Sequence, residues 1–304
     1  MQTAMIIQPL LAITLAPLLL GVINRVKAFF AGRRGQPLFQ LYYDLWRLLH
    51  KGAVYSTAAS WIFRAAPVVS LAAFLTAACI IPLGGVRSLF SFSGDLILAA
   101  YLFGLARFFV VLGALDTGSS FEGMGASREV HFSALAEPAL FIALMALARQ
   151  TSSLSLSGIF SSITPDFWTA HSATLLLVSA ALAIVLLAEN ARIPVDDPNT
   201  HLELTMIHEV MVLDYSGPDF AFILYGSALK LWLYAALLTG AILPLGTLPP
   251  LAAAAVSAAA IFLTAVFIGI VESSMARLRL LRVPHLLFTA AALAILALVF
   301  ALRS

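Results

Sequence analysis

The sequence has a single cysteine, Cys79, set inside an apolar run, and no Cys-x-x-Cys pair. That excludes a disulfide framework and leaves no cysteine cluster to hold zinc or an iron–sulfur centre. Charge is scarce as well: 11% of the 304 residues are Asp, Glu, Lys or Arg, against about 25% in a soluble domain. The 17 basic residues are offset by 15 acidic ones, so no strongly basic surface exists for nucleic acid. No 20- to 50-residue repeat of the solenoid kind and no inverted repeat is visible, which weakens a secondary-transporter reading. What is present is hydrophobic, 62% of the chain at a mean hydropathy of +1.00. Such a chain cannot cover a water-facing surface, which excludes a soluble enzyme and a disordered chain. The bilayer is its solvent, and any redox centre it serves belongs to a partner.

A helix needs about 20 mostly apolar residues to cross the hydrocarbon. Eight segments qualify, near Ala4–Ile23, Ala66–Leu83, Asp95–Leu115, Ala134–Arg149, Ala173–Glu189, Phe220–Leu243, Leu251–Val271 and Leu286–Leu302. The first is not expected to be a cleavable signal, because no basic residue precedes it and Arg25 and Lys27 follow it. Segments after the odd-numbered spans carry 12 of the 17 basic residues, the alternate ones carry Arg87, Arg149 and Arg303, and Arg107 and Lys230 lie within spans. By the positive-inside rule the charged segments are cytoplasmic and both termini face the outer, periplasmic side. The acids share this sidedness, since only Asp95 and Asp166 fall on the outer side. The Ser-rich outer segment Thr151–Thr164 reads as plain connector. The expectation is one all-α integral membrane domain, residues 1–304, in a cell inner membrane.

The first charged segment runs Gly32-Arg33-Arg34-Gly35-Gln36-Pro37 and then places Leu38, Leu41, Leu45, Leu48 and Leu49 at helical spacing, with Asp44, Arg47 and Lys51 elsewhere. It reads as an amphipathic helix at the interface, whether a mere anchor or part of a site. The second, Asp116 to Glu129, holds three glycines, but it lacks the Gly-x-x-x-x-Gly-Lys-Ser/Thr spacing of a phosphate loop and has no neighbouring strand. The third is densest in polar groups and runs from Glu189 through Arg192, Pro194, Asp196, His201, Glu203, His208 and Glu209 to Asp214. Asn199 or Thr200 can cap a helix beginning near His201, with His201, Thr205, His208 and Val212 on one face. A metal reading fails on spacing: His208-Glu209 is not followed by the second histidine of a zincin, and no Pro-Cys-x-x-Cys accompanies the His-x-Glu. Proton exchange or a grip on a partner's loops suits these residues better, histidine titrating near cellular pH.

Inside the spans stand Glu137, Arg107, Lys230 and, at one end, Glu189 and Glu272. Intramembrane ions cost roughly 2.5–3.5 kcal/mol on insertion scales unless paired or hydrated, so each invites a functional reading. Glu137 lies eight residues beyond Glu129, about 12 Å deeper along a helix, where a carboxylate can serve a proton relay or simply pair with Arg107 or Lys230. Together the five are expected to form a polar file leading inward.

These residues resemble the complex I subunit 1 family in its hydrogenase-associated branch. Gly32-Arg33-Arg34-Gly35 through Gln40 and Asp44 is similar to the family's Gly-Arg-x-Gly-Pro element, with Gln36 departing from it. Gly125-Ala126-Ser127-Arg128 with Glu137 resembles its second element, and Glu189-Asn190-Ala191-Arg192-Ile193-Pro194-Val195-Asp196, Glu203-Leu204 and Asp214-Tyr215-Ser216-Gly217 resemble its third loop. Asn199 and His201 stand where the quinone-reducing branch carries further acids. The stretch His201 to Glu209, with Asp116-Thr117-Gly118-Ser119, Leu229-Lys230-Leu231 and Glu272 to Arg277, is similar instead to membrane anchors of the formate hydrogenlyase, hydrogenase-4 and energy-converting hydrogenase type.

The resemblance implies a non-catalytic anchor and coupling subunit that binds no cofactor itself. Its partners would be the large and small subunits of a nickel–iron hydrogenase, holding the nickel–iron centre and iron–sulfur clusters, with a ferredoxin-like iron–sulfur subunit, antiporter-like membrane subunits and lipid. Glu137, Glu189, Lys230, Glu272 and Arg107 would relay protons. Arg33, Asp44, Asp116, Arg128, Arg192, Asp196, His201, Glu203, His208, Glu209 and Asp214 would dock partners or shape the loops. The alternatives are a quinone-binding subunit of a complex I-like oxidoreductase and a stand-alone ion carrier.

Overall fold

The computed structural model describes residues 2–196 and 206–303. Eleven helices follow one another: α1 (Gln2–Phe30), α2 (Gln40–Leu49), α3 (Trp61–Ile80), α4 (Asp95–Asp116), α5 (Ser120–Thr151), α6 (Leu156–Ser162), α7 (Pro165–Ala170), α8 (Ser172–Glu189), α9 (Gly217–Ile242), α10 (Pro250–Ser274) and α11 (Val283–Arg303). Eight of them, α1, α3, α4, α5, α8, α9, α10 and α11, are long and apolar enough to cross a membrane. Among the described residues there is no strand. Helix α2 is the expected amphipathic element, with no buried residue along its length and its Tyr42 hydroxyl donating to the Thr14 carbonyl of α1.

Helix α9 is the centre of the bundle, buried without a break from Ala228 to Ala241, and α1, α3, α8 and α10 pack around it. Lipid tails are as apolar as leucine, so association depends on close packing, and small residues supply it. Ala290, Ala294, Ala297 and Ala301 form a buried stripe on α11, which packs on α5, where Ala136, Ala139, Ala143 and Ala146 are likewise buried. Gly269 lets α10 approach α1 so closely that a Cβ there would lie 2.8 Å from the Val26 Cβ.

The helix ends segregate. One face of the bundle gathers the last turns of α1, α4, α8 and α10 and the first turns of α3, α5, α9 and α11, with the charged segments. The opposite face is knit by hydrogen bonds between segments distant in sequence. Gln8 donates to the Arg87 carbonyl at 2.8 Å and accepts from Leu83 N–H at 2.8 Å, and Asp95, fully buried, accepts from Ser155 Oγ and Leu156 N–H, each at 2.7 Å.

Three expectations need correction. The fourth span does not begin near Ala134: α5 starts at Ser120, so most of the glycine-bearing segment is helix, and only Thr117–Ser119 joins it to α4. Of its glycines only Gly125 serves contact, since a Cβ there would lie 2.3 Å from Val210 Cγ1 and 3.0 Å from the Ile207 carbonyl oxygen. The Ser-rich outer segment is not plain connector, because it contains α6, with Leu156, Ile159 and Phe160 buried, and supplies the partners of Asp95. The helix expected to run through His208 to Val212 is only a 3-10 turn over Glu209–Val212. Arg128 Nη1 takes the Met206 carbonyl at 2.7 Å and Asp196 Oδ2 takes the Ile207 N–H at 3.0 Å, so side chains replace a helical ladder there. His201 and Glu203, with Asn199, Thr200 and Thr205, lie outside the described residues.

Candidate functional site

Four of the five intramembrane charges meet in one cluster. Arg107, midway along α4, sends Nη1 to Glu137 Oε1 of α5 and Nη2 to Glu189 Oε2 at the end of α8, and its Nε lies 3.2 Å from Glu129 Oε1. Lys230 of α9 closes the set, with Nζ 3.0 Å from Glu189 Oε2 and a further bond to the Glu189 backbone carbonyl. The Glu137 carboxylate lies against α4 beside Gly104, 3.6 Å from where a Cβ would stand, an ordinary contact distance. Pro138 supplies no N–H to the Ala134 carbonyl, loosening α5 beside Glu137. The cluster counts three carboxylates against two cations. Arg107 and Glu189 side chains are buried, but that of Glu137 is 43% exposed on the flank of the bundle.

Glu272 does not belong to this file. It sits in a second cluster at the end of α10, where Oε2 is 2.8 Å from Lys27 Nζ of α1 and Oε1 is 3.4 Å from Arg192 Nη1. This set has two cations and one carboxylate, and the Glu272 side chain is fully buried. The two sets share no ion pair among the described residues: Glu272 lies at the α1–α10 seam, while Arg107 of α4 faces α5 and α8.

The remaining candidates mostly border a cavity of about 600 Å³ enclosed by α1, α2, α9 and the segment after α8. Asp44, Glu189, Arg192, Asp196, His208 and Glu209 line it, as does Gln40, whose amide donates to Asp44 Oδ1 at 2.9 Å. Ala191, with φ of +47°, makes the bend that aims Arg192 beneath the loop. Asp196 is held on two sides, by the Ile207 N–H and by Arg277 Nη2 at 2.7 Å. His208 and Lys230 also line a void of about 40 Å³ that reaches Arg107 and Glu129. That volume accommodates one or two waters between cavity and cluster. Burial holds the His208 imidazole below its ordinary pKa; Glu129 and Asp196 oppose this, while Lys230 and Arg107 reinforce it.

The other predicted residues stand apart. Asp116 caps α3, accepting from Ser60 N–H at 2.6 Å and Phe63 N–H at 3.3 Å. Arg128 ties α5 to the loop through Met206, and Asp214 and Arg33 are exposed. Two members of the clusters were missed, Glu129 and Lys27. A signal for Lys27 existed: it continues the buried stripe Ala12, Ala16, Leu19, Ile23 at three- and four-residue steps. Glu129 became visible only once α5 was extended to Ser120.

Residues 1–302 match the family model described as NADH dehydrogenase. The chain belongs to this family, that of complex I subunit 1. Within it, the chain is 33% identical over 301 residues to formate hydrogenlyase subunit 4 of Escherichia coli (strain K12), covering 97% of this chain and 96% of the relative. It is 32% identical over 299 residues to hydrogenase-4 component C of the same organism, covering 96% and 93%. Among solved structures, a chain of the membrane-bound sulfane sulfur reductase, an archaeal respiratory membrane complex, shares the fold with a TM-score of 0.80 at 23% identity, covering 97% of this chain and 98% of that one. The family match spans both charge clusters and the cavity between them.

Proposed function

We propose that this multi-pass membrane protein is the anchor and coupling subunit of a membrane-bound nickel–iron hydrogenase of the formate hydrogenlyase or energy-converting type. Hydrogenase relatives matching nearly the whole chain support the class. The charged face would meet the cytoplasm by the positive-inside rule and receive the hydrogenase and iron–sulfur arm, which holds the redox centres. The observation that carries the coupling role is the arrangement of Glu129, Arg107, Glu137, Glu189 and Lys230, an unbalanced cluster joined to the loop-lined cavity through His208.

Three carboxylates facing two cations leave the set with one negative charge in excess, the imbalance a proton-accepting relay requires. The loop and the cluster share α5: Arg128 grips Met206, and its neighbour Glu129 faces Arg107. A redox-driven shift of residues 206–209 therefore alters the cluster's geometry and its proton affinity, which is coupling by free energy shared between sites. Glu137, open on the flank, is the exit toward an antiporter-like neighbour.

In the assembled complex, Glu137→Gln is expected to keep dye-linked hydrogenase activity and to lose the ion gradient formed per turnover. Unchanged gradient formation would sink the relay. Mild-detergent pull-down with nickel and iron analysis tests the class. The cavity favours a second reading, a quinone-binding subunit, because its volume is that of a small-molecule site. Quinone co-purifying with a partner that lacks nickel would select it.

A further inference from the structure

The segment after α1 turns back on the helix it leaves. Gly32, at φ of +62°, terminates α1, and Arg33 N–H donates to the Ala28 carbonyl at 2.9 Å. Gly35 backs onto the helix, where a Cβ would lie 2.6 Å from Ala28 Cβ. The fold-back encloses, with the end of α10, a concavity of about 510 Å³ distinct from the large cavity. Lys27, Arg33, Arg34, Phe30 and Ser273 line it, with Glu272 at its base. Three cations thus face one carboxylate that Arg192 already engages from the other side. Arg33 and Arg34 make no ion pair among the described residues. On the same turn of α1, Phe29 is 82% and Phe30 56% exposed.

Cations and open aromatic rings at the level where two spans end are the chemistry of an anionic membrane interface. We propose that this concavity binds the phosphate headgroup of an anionic lipid, with the Arg33 and Arg34 guanidiniums on phosphate oxygens, Lys27 as a point charge, and Phe29 and Phe30 against the acyl chains. Guanidinium forks match phosphate oxygens in pairs. Lys27, Arg33 and Arg34 against Glu272 leave the lining two positive charges in excess, which suits a headgroup carrying two phosphates. An acidic protein loop would satisfy the arginines but leave both rings facing polar chain. The site lies apart from the proposed relay and does not depend on it.

The test uses the delipidated assembled complex in mild detergent. It is titrated with mixed micelles of cardiolipin, phosphatidylglycerol or phosphatidylcholine, and in parallel with inorganic phosphate, with bound lipid read by native mass spectrometry. Cardiolipin is expected to bind best, to weaken with salt, and to bind about thirtyfold more weakly to the double variant R33Q/R34Q. R33K/R34K should recover most of the binding, R87Q on the opposite face should leave it unchanged, and the lipid-free melting temperature of R33Q/R34Q should match wild type. Equal lipid binding by wild type and R33Q/R34Q overturns the site. Saturation by inorganic phosphate with no preference for lipid overturns the lipid as the source. Release of a soluble partner by R33Q/R34Q, with lipid binding intact, overturns it in favour of an acidic protein loop.

Discussion

The two charge clusters lie at the same end of the bundle and are built from the same residue types, yet their balance is opposite. Around Arg107 three carboxylates share two cations, whereas around Glu272 two cations share one carboxylate. The first set has a carboxylate in excess, the condition under which the proposed relay takes up or releases a proton with both cations still neutralised. The second has none: its single carboxylate is buried between Lys27 of α1 and Arg192, which makes it a clasp between α1, α10 and the segment after α8. Proximity to a membrane charge is therefore a poor guide to function, and stoichiometry within the cluster is a better one.

That contrast can be broken most severely at Arg107. Arg107→Met leaves Glu129, Glu137 and Glu189 facing one another with only Lys230 nearby, and removing one partner of a buried pair typically costs about 3–5 kcal/mol. The chain should fail to accumulate in the membrane fraction, while Arg107→Lys should accumulate and lose coupling. Glu272→Gln tests the clasp. It should lower stability by about 2 kcal/mol, less than a fully buried pair because Lys27 is partly exposed, and leave the gradient formed per turnover intact. Thermal unfolding in detergent and gradient measurement together decide this, and lost coupling in that variant would erase the distinction between the clusters.

A smaller effect is expected at the seam linking cavity and cluster. Gly125→Ala forces a methyl against Val210 and the Ile207 carbonyl, an overpacking worth about 1–2 kcal/mol. It should displace the 206–212 segment, seen as faster proteolysis there with the helical content unchanged by circular dichroism. The smallest effect is on pH dependence. Because packing lowers the His208 pKa from 6.5, the unfolded chain binds the proton first as pH falls below that value, so stability drops with acidification and is unaffected above it. Wild type should lose melting temperature between about pH 7 and 5.5 more steeply than His208→Gln, and parallel slopes would remove His208 from the link.

The eight spans were legible because a bilayer demands runs of apolar residues, and composition alone reveals them. Their ends were not. Gly123 and Gly125 look like loop residues, yet they lie in α5, where the missing side chain at Gly125 admits Val210. Lys27 and Glu129 sat outside the assigned spans, so their charges counted only toward orientation and connecting chain. Pairing was beyond reach too, since Arg107 meets partners 22, 30 and 82 positions away, and no helical periodicity links α4 to α5 or α8. The motif residues around Glu189 and Asp196 were found, but their grouping around a cavity depends on how α1, α2 and α9 close over them.

Asp95 ties one end of α4 to the start of α6 by two hydrogen bonds, and with that end as the pivot the helix is a lever. Arg107 lies 12 residues from that fulcrum and Asp116 lies 21 residues from it, about 18 and 32 Å along the axis. A sideways push of about 1 Å at Asp116 therefore arrives at Arg107 as roughly 0.6 Å, by the ratio of those arms. The Arg107 to Glu129 contact is 3.2 Å long, so a swing of that size would stretch it to about 3.8 Å and weaken it. The anchoring serine-rich face, remote from every motif, sets the gearing between Asp116 and the cluster.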